Sequence, residues 1–474
     1  MNRTIEGLPE DWEKLRSQRL WTGDEEPEEA AARRRRRPAE RDRDRILYSA
    51  ALQRLSAVTQ VTAPELGHSF HNRLGHTLKV AQVGRRNVER LHRLVARGEV
   101  DGKAAEVVRA TDPDAVEAAC LAHDLGHPPF GHIAEEVLHR KSKDIVDGGF
   151  EGNAQSFRIV TRLAVRNVNP GLDLTRETLD SILKYPWKHW PKDPNPAGKR
   201  EKKWGYYEDD REAFDFARSR WPAETKDELP EKCLGAEIMD WADDLTYAVH
   251  DVDDFFRAGL VPLDRLRNPD DAELKRFKAR LEELKDEDAK AFPSYSIDEL
   301  VATVQETMSS DGPGEPYSHT TSARADLREF GSKLITEFLE AFVVSEDAEA
   351  AGKARLDIDP PAVRKVAALK MLVRVYVIHR PGMAVVQHGQ RRMIAELFDC
   401  YLAASSPDRD AGNPHLFPPG ARERLLKGPD DMKSRARVVL DLISGLTESS
   451  ATQLHHRLCG VGSGPALDAI ASIG

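Results

Sequence analysis

A-A-C-L-A-H-D-L-G-H-P-P-F-G, residues 118–131, joins an apolar run of helical character to a histidine and an aspartate that stand side by side. The apolar residues predict a buried helix that ends at His123 and Asp124. Adjacent side chains on a helix point in different directions, so these two do not form one compact surface feature. They can, however, converge on an ion that lies beside the helix.

A sharp turn is expected directly after this pair. Gly126 and the two prolines that follow His127 stop the helix and redirect the chain. The turn carries His127 and His132 past the same place. Both imidazoles are therefore expected close to His123 and Asp124.

Two further helices are predicted to face this turn. Upstream, His76 lies one helical turn before Val80 on an apolar face, so its side chain is directed inward. Downstream, residues 237–256 carry an apolar stripe and, opposite it, a stripe of acidic residues with one tyrosine. The members of this second stripe are Asp240, Asp243, Tyr247, Asp251 and Asp254, of which Asp243, Tyr247 and Asp251 lie one above the other.

Two imidazoles and two carboxylates together suit a divalent ion that keeps open positions for water and phosphate. Each residue also has an ordinary explanation, since an inward histidine is commonly a hydrogen-bonded core residue and an acidic stripe commonly faces solvent. The set as a whole favours a metal site. The expected ligands are His76, His123, Asp124 and Asp243, and the expected ion is Mn²⁺ or Mg²⁺, with Fe²⁺, Co²⁺ and Ni²⁺ also suited to mixed ligation.

Composition indicates a soluble globular protein. Of the 474 residues 40% are hydrophobic and 32% charged, and no apolar run approaches the roughly 20 residues of a membrane-spanning helix. The first ten residues do not resemble a secretory signal, so the cytoplasm is the expected location.

The net charge of −10 argues against a general nucleic-acid coat. The arginine run at residues 33–37 is a local exception, either a solvated segment or a contact for nucleic acid or triphosphate.

Helical spacing of apolar residues along almost the whole chain predicts an all-α fold. Residues 1–45 are predicted to form a mobile charged arm, residues 46–264 a catalytic core and residues 265–474 a helical C-terminal region.

The four cysteines, Cys120, Cys233, Cys400 and Cys459, lie far apart in the sequence and have no paired-cysteine metal spacing. They are expected to be reduced thiols in the core.

Six phrases of the sequence, in order, resemble the HD superfamily and, within it, the deoxyguanosine triphosphate triphosphohydrolase family. They are R-L-G-H-T-L-K-V-A-Q-V-G-R at 73–85, A-H-D-L-G-H-P-P-F-G-H at 122–132, G-F-E-G-N-A-Q-S at 149–156, L-K-Y-P-W at 183–187, K-W-G-Y-Y at 203–207 and M-D-W-A-D-D-L-T-Y-A-V-H-D at 239–251. A lone His-Asp pair would be weak evidence, whereas six phrases over about two hundred residues are specific. The resemblance implies an HD-type helical bundle with additional C-terminal helices.

The resemblance also implies roles for individual residues. The four expected ligands would bind the metal, and Asp251 would lie near the deoxyribose. Contacts to the triphosphate, sugar or base are implied for Arg73, Lys184, Tyr185, Lys203, Tyr247 and Gln60. In one respect the sequence departs from many relatives, which carry a histidine where this chain has Gly152. That histidine is a candidate for protonating the leaving oxygen, and here Glu151, His127 or His132 could take its role.

The resemblance implies hydrolysis of deoxynucleoside triphosphates, of dGTP or of several, to a deoxynucleoside and tripolyphosphate. Water would attack the α-phosphorus while Arg73, Lys184 and Lys203 neutralise the phosphate oxygens. A homo-oligomer such as a hexamer, and a nucleotide or single-stranded DNA effector, are further expectations of the resemblance. Two alternatives stay open: an HD phosphohydrolase acting on another nucleotide, and a nucleotide-binding or nucleic-acid-binding protein whose HD centre is weakened or vestigial.

Overall fold

The computed structural model describes residues 12–21, 36–60, 72–167, 169–193, 198–219, 230–287, 292–346, 354–408, 410 and 412–460. Helices dominate these residues, which confirms the all-α prediction. The first three residues of the arginine run at 33–37 lie outside the described part of the chain. Among the described residues, no helix has both the length and the hydropathy that crossing a bilayer requires.

The elements follow one another along the chain with short connections. The helices of the N-terminal half are α1 (Trp12–Ser17), α2 (Pro38–Leu47), α3 (Ala50–Arg54), α4 (Arg73–Ala96), α5 (Gly102–Ala110), α6 (Pro113–Ala122), α7 (His132–Ser142), α8 (Gly152–Arg158), α9 (Arg176–Ile182), α10 (Lys199–Lys202), α11 (Arg211–Arg218) and α12 (Leu234–Arg257). They are followed by α13 (Ala272–Glu287), α14 (Ile297–Asp311), α15 (Thr321–Glu340), β1 (Phe342–Glu346), β2 (Ala354–Ile358), α16 (Pro360–Val373), α17 (Pro381–Ala404), α18 (Pro419–Lys427), α19 (Met432–Ser444) and α20 (Glu448–Leu458). Short 3₁₀ turns lie at Leu55–Ala57, Glu208–Asp210, Leu263–Arg265 and Pro414–Leu416, and π-helical turns at Ile159–Leu163 and Arg374–Ile378.

Helix α6 lies within the largest hydrophobic core of the described residues. Eight of its ten residues are buried, because it packs against α2, α4, α9 and α12 on different sides. Gly84 of α4 makes the close approach to α6 possible, since a Cβ atom there would lie 2.5 Å from the Cys120 sulfur. The apolar run before His123 is therefore enclosed by helices, and its end is held rigidly.

The second core joins the helix that follows the His-Asp turn to the C-terminal helices. Its buried members include Val137 and Leu138 of α7, Phe398 of α17, Val439 of α19 and Leu454 of α20. The first core extends from Ile46 to Val377. The division of the chain into domains at residue 264 remains a prediction, while the packing itself joins residues from both sides of that position.

Parts of the predicted N-terminal arm pack against the core. Arg19 is buried, and its guanidinium donates a 2.7 Å hydrogen bond to the buried carboxylate of Asp42. The same carboxylate accepts hydrogen bonds from the backbone and hydroxyl of Thr175 at the start of α9. Within residues 12–21 and 36–45, these buried contacts attach the chain to the core, and the mobility of the arm at residues 1–45 stays a prediction.

A small antiparallel sheet interrupts the helices. Strands β1 and β2 pair with Phe342 opposite Ile358 and Val344 opposite Leu356. Phe342 and Val344 are buried while Val343 is exposed, so the alternation spans only a few residues. Helical spacing of apolar residues predicted no strand here, because so short an alternation has little predictive weight.

The cysteine prediction is right at two positions and wrong at two. Cys120 and Cys233 are buried free thiols in the core. Cys400 is half-buried, Cys459 is exposed, and their sulfurs lie 3.4 Å apart. Fifty-nine residues separate these two cysteines along the chain, so their approach depends on the packing of α17 against α20 and has no signature in the local sequence.

A buried arginine connects the N-terminal half to α19. The Arg158 guanidinium donates to Asp441 at 2.9 Å and to Asp210 at 3.0 Å, and both carboxylates are buried. Burial alone would lower the pKa of Arg158, but the two carboxylates outweigh it and leave the pKa raised. This ion pair therefore couples the folding of the two halves.

We expect the substitution Arg158→Leu to lower the free energy of unfolding by about 3–5 kcal/mol, because it removes the buried guanidinium that pairs with Asp441 and leaves Asp210 with only the half-exposed Arg162. Arg162→Leu is the matched control. Arg162 also donates to Asp210, at 2.9 Å, but its side chain is 48% exposed, and we expect a loss of at most about 1 kcal/mol. Urea unfolding of both variants measures the difference, and equal losses would contradict this account.

Candidate active site

The first turn of α4 supplies two buried side chains to the site. Asn72 caps this helix, since its side-chain oxygen accepts a 2.8 Å hydrogen bond from the backbone of Gly75. Arg73 and His76 follow within that turn, and both are almost completely buried. The cap thereby sets where these two side chains point.

The end of α6 fixes the ring of His123. Its Nδ1 lies 2.6 Å from the carbonyl oxygen of Cys120. A carbonyl only accepts, so Nδ1 carries the proton and donates it. Nε2 is thereby left as the nitrogen that faces the site. This arrangement is the one by which proteins orient metal-binding histidines.

Helix α12 brings Asp243 against both histidines. Its Oδ1 lies 3.1 Å from His76 Nε2 and 3.6 Å from His123 Nε2. His76, His123 and Asp124 each offer one ligand atom, and these atoms lie within 4.8 Å of one another. The four residues predicted as metal ligands therefore meet in one place, where α4, α6 and α12 converge.

The surroundings of His123 fit a bound cation. Its Nε2 is buried without a hydrogen-bond partner and lies 3.4 Å from an oxygen of Asp124. A nitrogen lone pair that faces carboxylate oxygens is repelled by them unless a proton or a cation lies between them. Burial lowers the pKa of His123, but Asp124 and Asp243 outweigh it and raise the pKa overall. The same negative field favours a divalent ion at this position.

Two cations flank the carboxylates. Arg73 donates to Asp124 at 2.5 Å, and Lys184 donates to Asp243 and to Asp240, at 2.8 Å each. Burial would raise the pKa of Asp243, but Lys184 and the histidines hold it well below its usual range. These carboxylates are therefore ionised at neutral pH, which a metal ligand requires.

A second cluster lies beside the first. His127 Nδ1 lies 3.1 Å from Asp124, and the rings of His127 and His132 are 5.3 Å apart. His132 Nδ1 lies 2.8 Å from Glu135, and Lys203 reaches Glu135 at 2.6 Å. The cluster thus connects the predicted acid-base histidines to the predicted phosphate-binding lysine.

Glu135 was missed by the sequence analysis. It lies three residues after His132 in the first turn of α7, so the two side chains share one face of the helix. A carboxylate at this spacing from a candidate acid-base histidine is the signal that could have identified it. Glu135 is buried, whereas the His132 side chain is 76% exposed.

Glu151 and Gly152 begin α8 next to this cluster. The Glu151 carboxylate accepts from the backbone of Asn153 at 2.6 Å and of Ala154 at 3.0 Å, which caps the helix. Its other oxygen lies 2.9 Å from Lys203. A Cβ atom on Gly152 would lie 3.5 Å from the His127 ring and 3.8 Å from Glu135. A side chain at position 152 would therefore enter the space between His127 and Glu135.

Of the remaining predicted substrate contacts, Tyr247, Asp251 and Tyr185 lie beside residues of this region. Tyr247 and the buried Asp251 are neighbours on α12, and burial together with Asp251 raises the pKa of Tyr247. Burial raises the pKa of Tyr185, next to Lys184, to about 12. Gln60 is half-buried with an interior side-chain oxygen that has no hydrogen-bond partner. The chain that follows it, residues 61–71, lies outside the described residues.

The C-terminal helices hold the His-Asp turn in place. Arg54 donates to the carbonyl oxygens of Leu125 and His127 at 2.7 and 2.8 Å, and to that of Leu446 at 3.1 Å. Glu448, at the start of α20, accepts from the backbone of Phe130 at 3.2 Å. Phe130 has a φ of 67°, which is strained for a bulky residue, so this contact stabilises an unfavourable turn.

Comparison with known proteins agrees with this geometry. Residues 73–248 match the model of the HD domain family, and residues 356–457 match that of the phosphohydrolase-associated domain. A deoxyguanosinetriphosphate triphosphohydrolase-like protein of Streptomyces coelicolor is 36% identical over 89% of this chain and 92% of its own. The chain belongs to the deoxyguanosinetriphosphate triphosphohydrolase-like family of HD phosphohydrolases.

Further members of the dGTPase-like family show similar coverage. The relative of the same description from Corynebacterium efficiens is 34% identical over 89% of this chain and 91% of its own. The relative from Bifidobacterium longum is 32% identical over 89% of this chain and 82% of its own. The resemblance seen in six short phrases therefore extends over nearly the whole dGTPase-like chain, and the HD domain model covers all four predicted ligands.

We expect His123→Ala to abolish stoichiometric Mn²⁺ binding by this dGTPase-like protein, because it removes the nitrogen between the two carboxylates. Isothermal titration of metal-stripped protein measures the binding. His388→Ala, on the exposed surface of α17, is the control and should bind as the unaltered protein does. Equal Mn²⁺ binding by the two variants would show that the ion lies elsewhere.

Proposed function

We propose that this protein hydrolyses deoxynucleoside triphosphates, dGTP or several of them, to a deoxynucleoside and tripolyphosphate. One observation carries the proposal: a cluster of histidines and aspartates suited to a divalent ion is flanked by Arg73 and Lys184, and Lys203 lies in the adjoining cluster. Such a concentration of positive side chains around a metal centre fits a substrate with several negative charges in a row. The names of the relatives point to the same substrate class.

The three cations are already paired with carboxylates of the site. Arg73 contacts Asp124, Lys184 contacts Asp243, and Lys203 bridges Glu135 and Glu151. These ion pairs hold the long side chains near the places where phosphate oxygens would lie, so little conformational entropy is lost when the substrate binds. We infer that the triphosphate accepts further hydrogen bonds from the same groups.

His76, His123, Asp124 and Asp243 would hold a divalent ion, Mn²⁺ or Mg²⁺, in this proposal. Such an ion, when bound, lowers the pKa of water and polarises a phosphoryl oxygen. The protein side chains hold the α-phosphate within reach of water, with Arg73 and Lys184 neutralising its oxygens.

His132 is the best-placed of the three candidate general acids. Its Nδ1 faces Glu135, so its Nε2 points away from that carboxylate and can deliver a proton to the 5′-oxygen of the leaving nucleoside. Burial would raise the pKa of Glu135, but Lys203 and His132 outweigh it and keep it ionised. Glu151 is occupied in capping α8, and His127 is buried against Asp124. We propose His132 as the proton donor and Glu135 as the residue that orients it.

The reaction is tested by incubating the full-length protein with each deoxynucleoside triphosphate and with GTP, in Mn²⁺ or Mg²⁺, and separating the products by anion exchange. We expect a deoxynucleoside and tripolyphosphate, no turnover in EDTA, and a loss of at least about a hundredfold in kcat for His132→Ala. The products of any other cleavage, such as pyrophosphate, would contradict the proposed reaction.

Turnover of none of these nucleotides, also in mixtures that could activate the enzyme, would favour the alternatives. These are an HD phosphohydrolase for another nucleotide and a binding protein with a weakened centre. The specific observation on the side of the second alternative is Gly152, which leaves the space beside His127 and Glu135 without a side chain.

Tyr247 provides a test of sugar discrimination. We propose that its ring lies against the deoxyribose, next to Asp251, and leaves no room for a 2′-hydroxyl. Tyr247→Ala should then lower the ratio of kcat/KM for dGTP over GTP by about tenfold or more, whereas Tyr247→Phe, which keeps the ring, should change it much less. An unchanged ratio in the alanine variant would rule out this role.

Several proposals rest on the family resemblance alone. They are substrate contacts by Gln60 and Tyr185, a homo-oligomer such as a hexamer, and an effector site for a nucleotide or single-stranded DNA. The cytoplasmic location and the division into an arm at residues 1–45, a catalytic core at 46–264 and a C-terminal region at 265–474 rest on the sequence pattern and remain proposals.

A further inference from the structure

A second group of metal-binding side chains lies on the C-terminal helices, away from the HD motif. Glu396 and Cys400 are four residues apart on α17, and His455 and Cys459 are four residues apart at the end of α20. Residues with this spacing share one face of a helix. The two helices pack against each other, so the two pairs face one another.

The distances between these side chains are short. The Cys400 and Cys459 sulfurs are 3.4 Å apart, and His455 Nε2 lies 2.6 Å from a carboxylate oxygen of Glu396. Glu396, His455 and Cys459 each offer a ligand atom within 4.8 Å of the others. The other carboxylate oxygen of Glu396 accepts a 2.7 Å hydrogen bond from Arg392. This last contact orients the carboxylate, as supporting residues do around bound metals.

The donor set is that of a structural zinc site. Zinc is bound tetrahedrally by thiolate, imidazole and carboxylate groups, with zinc-sulfur distances of about 2.3 Å. Two sulfurs on a tetrahedral zinc ion are consequently about 3.8 Å apart. The observed separation is close to this value and far from the roughly 2.0 Å of a disulfide bond.

We propose that Glu396, Cys400, His455 and Cys459 bind one zinc ion, which fastens the end of α20 to α17. The two soft sulfur ligands give this site a different metal preference from the candidate catalytic centre, whose ligands are imidazoles and carboxylates. In the ion-free arrangement a proton lies between His455 and Glu396, and zinc takes its place.

A divalent ion would bind the two sulfurs as thiolates, so its binding would release their protons to solvent.

The proposed ion would also support the catalytic region. Helix α20 begins at Glu448, which accepts from the backbone of Thr59 at 2.8 Å and contacts Phe130 in the His-Asp turn. Zinc at the other end of this eleven-residue helix holds it in position against α17. Ion binding should thus stabilise the helix on which the turn depends.

Cobalt titration of the full-length protein, metal-stripped and reduced, provides the test. Co²⁺ bound to thiolates gives a near-ultraviolet charge-transfer absorption, which the proposed catalytic ligands cannot produce. Because the catalytic centre also accepts Co²⁺, we expect this absorption to reach its maximum by two Co²⁺ per chain in the unaltered protein and to disappear when Zn²⁺ is added. In His123→Ala, whose catalytic centre is disrupted, it should saturate at one Co²⁺ per chain.

Substitutions of the two cysteines test whether the charge-transfer absorption arises from the proposed zinc site. Cys400→Ser and Cys459→Ser should each abolish or strongly weaken the charge-transfer absorption, and zinc should no longer raise their melting temperature. His456→Ala, an exposed neighbour on the same helix, is the control and should behave as the unaltered protein does. Circular dichroism establishes that each variant is folded.

Three results would overturn the proposal. The first is the absence of thiolate-cobalt absorption in protein whose thiols are all titratable. The second is an unchanged absorption in both serine variants. The third is a Cys400–Cys459 disulfide that forms equally fast with and without zinc, because a bound ion would protect both sulfurs from oxidation.

Discussion

The Nε2 atom of His123 faces the carboxylate oxygens of Asp124 and Asp243 inside the protein, and the geometry of the candidate metal centre depends on this buried contact. The Cys120 carbonyl fixes the ring, so the nitrogen cannot turn away. The contact is stable only if a positive charge lies between the groups. A divalent ion at this position would satisfy side chains from three helices at once, and the cations Arg73 and Lys184 lie next to it.

Contacts between distant segments of the chain fix the geometry of this centre. The turn after Asp124 is stabilised by Arg54 from α3 and by Glu448 from α20, both of which bind its backbone. Farther from the centre, Arg158 joins α8 to Asp441 of α19 through a buried ion pair. The C-terminal helices thus stabilise the turn that follows Asp124. The proposed zinc ion would stabilise α20 at the end opposite Glu448.

The parts of this site that local sequence predicts are those whose chemistry is concentrated in short motifs. His123 and Asp124 are adjacent in the chain, and His76 and Asp243 lie on regular amphipathic helices, so helical periodicity indicates their direction. The dGTPase-like family follows from the same stretches, whereas the all-α fold follows from helical spacing along almost the whole chain.

Other features depend on packing between distant segments. Glu448 contacts Thr59 across 389 residues of sequence, and no local pattern marks such a pair. Cys400 and Cys459 likewise look unrelated until α17 and α20 are seen side by side. The short β1–β2 pair escaped prediction because five-residue strands carry too little alternation. Glu135 is different, since its spacing from His132 was readable but has meaning only once His132 is assigned a catalytic role.

The central claim is that His76, His123, Asp124 and Asp243 hold one divalent ion, and anomalous diffraction from Mn²⁺-soaked crystals tests it most directly. The account predicts a strong anomalous peak between His123 Nε2 and the carboxylates of Asp124 and Asp243, within coordination distance of all four residues. A peak at other residues only, or none in protein that turns over its nucleotide, would contradict it.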